Sequence, residues 1–279
     1  MTTLRDRTAA TLLAFARPYL ALHLGVLGVK IRRAPFPRDE AVASVPGPDA
    51  ARLLVVGDLA ASGYGVLLHG MAFPAQLGGA WSGRTGRGCS WKTIADPLMT
   101  VRRAAHHPRL GAAAADADAV VVALGVPDVL QLTASEDIVA SAGRLVARVR
   151  SAAGREVPVL LAGLPPMTQF QGLSPAAARL IGSQLRRVDD ALRQVAAQFA
   201  GVEFVGFPSW DLGGTTLRRA FSFSAMHRGW ASAVAAGLEL SDPGPAPDPG
   251  SSVVVEAEQV AQEAAAATGV TDTSVTLAA

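Results

Sequence analysis

Few side chains in this sequence could do covalent chemistry, and their neighbours narrow what each could do. The single cysteine, Cys89, excludes an intrachain disulfide and a cysteine-cluster metal site. Arg84, Arg87 and Lys92 stand close to it in sequence, a setting that makes a thiolate if the side chain is exposed. A small buried apolar residue is the other reading of Cys89, and Ser90 beside it is a second hydroxyl-or-thiol candidate. Of the histidines, His106 and His107 precede Pro108 and read as a turn, and His69 reads as structural or surface. His227, in "FSFSAMHRGWASAVA", follows Ser224 by three residues. The stretch "LLVVGDLAASGYG", residues 53–65, is an apolar run ending in Gly57-Asp58, then small residues and two more glycines. That is how a buried strand turns sharply into a helix with a functional loop at its tip. The loop opens with Leu59, which has no nucleophilic atom, and the next hydroxyl is Ser62, one helical turn further on. Asp58 and Asp128 suit loops held by accepted backbone N–H bonds.

The elements that would position these groups follow from the apolar pattern. Strands are expected at Leu53–Val56, weakly at Gln76–Trp81, and at Ala119–Leu124, Val157–Ala162 and Val202–Val205. Continuous runs such as "AVVVALG" and "VPVLLAG" suit strands buried on both faces. Helices are expected at Gly65–Phe73, Lys92–Ala105, Ser135–Ser151, Ser174–Ala200 and His227–Leu238. Within the third of these, apolar residues at 138, 139, 142, 145, 146 and 149 keep a 3.6 period, with Ser135 as the expected N-cap. Strands alternating with helices give an α/β fold with a five-stranded, doubly wound parallel sheet. In such sheets the working site lies at the carboxyl ends of the strands. The loops beginning at Gly57, Gly83, Gly125, Gly163 and Gly206 would then surround one cleft.

The chain has 279 residues, half of them hydrophobic and 17% charged, with 25 Lys+Arg against 23 Asp+Glu. One main domain fits that length. The arginines are scattered and not interleaved with aromatics, so nucleic acid is not an expected partner. Residues 1–33 form an apolar, amphipathic helical segment, too short in its uninterrupted core to span a bilayer with ease. An amphipathic helix packed on the domain fits this segment, as does one lying in a membrane interface through residues 10–33 with its basic end, Lys30, Arg32 and Arg33, at the headgroups. Residues 34–51 are Pro-rich and read as a linker, 52–240 as the α/β domain, and 241–279 as a tail with a short helix. An intracellular, cytoplasmic protein is expected.

Four blocks in this order resemble the SGNH (GDSL-type) hydrolases, a family of esterases and acyltransferases. "VVGDLAASGYG" resembles the first block, usually Gly-Asp-Ser, and "GRTGRGCSWKTIAD" the second, whose glycine, here Gly86, lends an N–H to the oxyanion hole. "VVVALGVPDVLQL" resembles the third, usually Gly-x-Asn-Asp, with Gly125 and Asp128 retained. "FSFSAMHRGWASAVA" resembles the last, usually Asp-x-x-His. The resemblance implies a flavodoxin-like three-layer α/β/α sandwich and a site that uses no cofactor and no metal. It also implies that Leu59 stands at the nucleophile position, Pro127 at the oxyanion asparagine and Ser224 at the triad aspartate, while His227 is retained. Leucine cannot attack, and proline has neither a side-chain donor nor an N–H. The expectation is a pseudo-hydrolase without serine-esterase activity. It would bind a hydrophobic or acyl small molecule in an apolar cleft walled by Leu59, Val126, Val129, Leu130 and Met226, or regulate a protein partner such as an active relative. The alternative is an esterase or acyltransferase using Cys89, Ser90 or a water activated by His227.

Overall fold

Strand β2, Ala51–Gly57, and strand β4, Ala119–Ala123, form the centre of the sheet because their apolar runs supply side chains to both faces at once. Every residue of β4 is buried. The computed structural model describes residues 33–167, 175–209 and 222–238, together with Gly25, Val29 and Ile31. Beyond these two strands the sheet contains β1, Ser44–Val45; β3, Cys89–Ala95; β5, Val159–Ala162; and β6, Val202–Val205. The order is β1-β3-β2-β4-β5-β6. The five longer strands run parallel, and the two-residue β1 adds antiparallel to β3 at the edge. Five parallel strands were expected, and β1 is the addition.

Helices cover both faces. On one lie α1, Phe73–Thr85, and α7, Phe223–Gly237, whose Phe73, Leu77, Trp81, Trp230 and Val234 pack on Leu53, Val55 and Val121. On the other lie α2, Val101–Ala105; α3, Leu110–Ala115; α4, Val126–Gln131; α5, Ser135–Ala153; and α6, Pro175–Gln198. These five pack against Leu54, Val56, Val120 and Val122. Alternate residues of each strand therefore serve opposite layers, which gives the three-layer α/β/α sandwich.

The second strand is where the fold departs from expectation. Gln76–Trp81 lies inside α1, and the strand is Cys89–Ala95, part of which reads as helix in the sequence. Three glycines in α1 lower its helix propensity, yet Gly78 has a packing reason to be there. A Cβ on Gly78 would lie 2.4 Å from the Trp91 ring of β3, so only glycine lets the helix approach the strand so closely. Trp81, Phe73 and Leu77, each no more than 1% exposed, then hold α1 by burial, about 1.5–3 kcal/mol apiece. Smaller differences concern α4, which the strand-end reading missed, and the N-cap of α5, which is Ala134 without a side-chain bond in place of Ser135.

The Pro-rich stretch is tied to the domain. Its Pro35, Ala43 and Pro48 carbonyls accept the N–H groups of Gly65, Trp91 and Gly88. The expected N-terminal helix and the C-terminal tail lie outside the described residues, apart from isolated positions. No helix among the described residues is long and apolar enough to cross a membrane.

Candidate functional site

The carboxyl edge of the sheet is organised by a buried carboxylate. Gly57 ends β2, paired with Ala95 of β3 and Ala123 of β4. The next residue, Asp58, is 2% exposed and accepts the N–H groups of Gly125 and Val126 on one oxygen, both at 3.0 Å. It thus fastens the loop after β2 to the loop after β4. Burial pushes its carboxyl up to about 7, against the pull of the Val126, Gly125 and Leu59 N–H groups. Asp128 does a similar job one helix further on. Buried, it accepts the N–H of Val101 at 3.0 Å and the Thr133 hydroxyl, which anchors the first turn of α2. Burial raises its pKa as well. Both aspartates hold loops by accepted bonds, as their sequence setting suggested.

The loop after Asp58 is a single tight turn. The N–H and hydroxyl of Ser62 both donate to the Asp58 carbonyl, at 3.0 and 2.8 Å, and the Tyr64 N–H donates to the Leu59 carbonyl. The glycine at 65 is required twice over. Its φ is +82°, and a Cβ there would lie 2.3 Å from the Phe223 ring. Leu59 is half-buried and packs into the α2–α6 layer of the core. The residues expected to wall an apolar cleft around it are core as well. Val126 is 6% exposed, Val129 0%, Leu130 5% and Met226 5%, and Pro127 is buried in the first turn of α4.

His227 lies in the first part of α7 and is fully buried. Its Nδ1 is 3.3 Å from the Met71 carbonyl. A carbonyl only accepts, so in the neutral ring Nδ1 carries the proton and Nε2 the lone pair. Nε2 has no partner among the described residues. Burial lowers the pKa to about 4, and the Met71 bond only partly offsets it. Ser224 does not hold the ring: α7 is capped by Ser222, whose hydroxyl accepts the Ala225 N–H, and Ser224 stands second in the helix.

This burial has a consequence for pH. The folded-state pKa of His227 lies below the ordinary 6.5, so its contribution to stability is present above about pH 6.5 and is lost as pH falls towards 4. The loss amounts to about 3 kcal/mol. Urea titrations at pH 7, 5.5 and 4 are expected to show it, and the His227→Phe variant to lack it. Equal acid sensitivity in the two proteins would mean that the ring reaches solvent.

Three candidates do not belong to this edge. Gly86 is the exposed C-cap of α1, with φ +69°, and its N–H is spent on the Ser82 carbonyl. Cys89 and Ser90 begin β3, in register with Ala51 and Arg52. Six residues of strand separate that end from Gly57, roughly 20 Å. The Cys89 side chain is fully buried in the core, and burial pushes its thiol up to about 11, which disfavours the thiolate that a nucleophile would need. The displaced strand explains the error. With β3 at Cys89–Ala95, the loop reaching the carboxyl edge is Asp96-Pro97-Leu98-Met99-Thr100, where no glycine offers a free N–H. Asp96 instead accepts the Leu98 N–H and pairs with Arg103 at 3.5 Å. Likewise Gly83 lies within α1 and begins no loop.

Sequence reasoning missed a cavity of about 360 Å³ beside the loop after β2, lined among others by Ala61, Ser62, His69, Trp91 and Thr93. His69 Nδ1 lies 2.8 Å from an oxygen of Asp39, a residue of the stretch read as a linker. A signal was present in the sequence: a histidine and an aspartate flanking the Gly-Asp block. The 30 residues between them hid the pairing. Among the described residues no group of three His, Cys, Asp or Glu side chains could hold a metal ion.

Comparison with known proteins agrees with this architecture. Residues 55–232 match the family model of the GDSL-like lipases/acylhydrolases. The fold is similar to that of the lipase Lip_vut3 from a goat rumen metagenome, at 15% identity and a TM-score of 0.54, covering 67% of this chain and 96% of that one. It is also similar to a G-D-S-L family protein from Desulfitobacterium hafniense DCB-2, at 14% identity and a TM-score of 0.51, covering 67% and 99%. No curated protein sequence matches the chain.

Proposed function

The chain belongs to the GDSL-like lipase/acylhydrolase family, and we propose that it is a member that does no acyl transfer and works by binding, as a ligand-binding or partner-regulating pseudo-hydrolase. One observation carries the reading: the position after Gly57-Asp58 is Leu59, packed into the core where a nucleophile would need space. Acyl transfer needs an activated oxygen or sulfur, an oriented base and donors aimed at the oxyanion. Here the base position is a sealed His227 with its Nδ1 bound to a backbone carbonyl, and Pro127 has no donor to give. Cys89 and Ser90 stand at the far end of β3, which disfavours the esterase alternative. The test is labelling by a serine-directed fluorophosphonate and turnover of p-nitrophenyl acetate by the purified chain. No stoichiometric adduct and hydrolysis at the buffer rate are expected. A stoichiometric adduct on any serine of the domain would overturn the proposal.

A further inference from the structure

We propose that the cavity beside the loop after β2 is a binding site for a small molecule with an apolar body and a hydrogen-bond-donating head, an alcohol or an amine, and that His69 and Ser62 are the residues that recognise the head. The proposal rests on the reading of the chain as a binder and supplies that reading with a site. The walls come from separate elements that the fold brings together. β1 and the segment before it carry Val42 across the edge of the sheet, β3 supplies Trp91 and Thr93, and the turn after Asp58 supplies Ser62. At about 360 Å³ the cavity falls within the range of small-molecule sites, roughly 300–1,000 Å³.

The polarity of the head group follows from where the protons are. Asp39 accepts the His69 backbone N–H at 2.9 Å and faces Nδ1 at 2.8 Å. A carboxylate only accepts, so Nδ1 carries the proton and Nε2 of the neutral ring offers a lone pair. The double attachment also fixes the ring's orientation, as an oriented imidazole requires. Ser62 spends its hydroxyl proton on the Asp58 carbonyl, at 2.8 Å, so its oxygen likewise offers lone pairs. Two acceptors held in place ask for a donor. Among the described residues no lysine or arginine lines the cavity, so an anionic head would meet no fixed cation from them. The apolar walls, Trp91 above all, suit a ring or a short branched chain.

The test titrates the full chain at pH 8 with benzyl alcohol, benzylamine, toluene and benzoate, and follows the His69 ring by NMR. Saturable shifts are expected with benzyl alcohol or benzylamine, the stronger of the two identifying the head group. Toluene and benzoate are expected to bind at least threefold more weakly. His69→Phe should weaken the donor ligands about three- to tenfold and leave toluene unchanged, the scale of one net hydrogen bond. Ser62→Ala should weaken them in the same direction, and its small size makes it a safe second variant. Benzoate or toluene binding as well as the alcohol, or donor affinity unchanged in both variants, would overturn the proposal. Hydrolysis of benzyl acetate is measured alongside. Turnover abolished by His69→Phe would overturn the non-hydrolytic reading, whereas absence of both turnover and binding would overturn the site alone.

Discussion

Leu59→Ser is expected to leave ester hydrolysis at the uncatalysed rate. The substitution supplies an oxygen and nothing else that the transition state needs. Pro127 still offers no donor to the oxyanion, and the loop after β3 is Asp96-Pro97, tied into its own hydrogen bonds. Loss of one oxyanion donor costs about 10²–10³ in rate. His227 would have to act as base while fully buried, with a neutral carbonyl at Nδ1 where a carboxylate should stabilise the imidazolium. Loss of that carboxylate costs roughly 10⁴ in the serine proteases. These factors do not multiply, because the parts act as a unit, yet together they leave a lone serine without the base, the charge and the donor that acyl transfer uses. Turnover of p-nitrophenyl acetate decides the matter. A rate more than tenfold above buffer in Leu59→Ser, lost again in Leu59→Ser with His227→Phe, would show a site one residue from catalysis and would sink the proposed function.

The sequence made the centre of the fold legible and its second strand illegible, for one physical reason. β2, β4 and β5 carry apolar runs buried on both faces, which is how a central parallel strand reads. β3 is an edge-side strand with Lys92 and Thr93 exposed, so its apolar residues do not form a run. The neighbouring segment, with Gly78, Gly79 and Gly83, reads poorly as helix because propensity cannot see the Trp91 ring that requires Gly78. Misplacing that strand carried Gly86 to the wrong end of the sheet. The replacements at Leu59, Pro127 and Ser224 were visible as residue types, but their burial was not. Whether a leucine walls a cleft or fills it depends on what packs against it, here the layer containing Val126 and Leu130. The Asp39–His69 pair was hidden for a similar reason: it joins two segments that only the fold brings together.

Asp58→Asn is expected to change the pH dependence of stability by roughly 4 kcal/mol, with a sign opposite to that of most carboxylates. Burial holds the folded-state pKa of Asp58 at about 7, above its ordinary 3.8. A carboxyl raised in this way contributes stability that is fully present below about pH 4 and is lost as pH rises through 7, because the unfolded chain releases the proton first. Three units at about 1.36 kcal/mol each give the magnitude. Asparagine is the right probe, since its carbonyl oxygen can still accept the Gly125 and Val126 N–H groups while it stays neutral at every pH. The loop after β2 should therefore remain fastened to the loop after β4. Relative to the asparagine variant, the wild-type protein should weaken by about 1.4 kcal/mol per pH unit between pH 4 and 7 and level off above that. Urea unfolding of both proteins at pH 4.5, 6, 7 and 8 measures the difference directly, with His227 contributing equally to each and cancelling. Parallel stability curves would mean that the backbone donors outweigh burial and that Asp58 is already ionised at the bottom of the range. The carboxylate would then hold the two loops by charge-assisted bonds, and its loss in Asp58→Asn would cost stability at every pH.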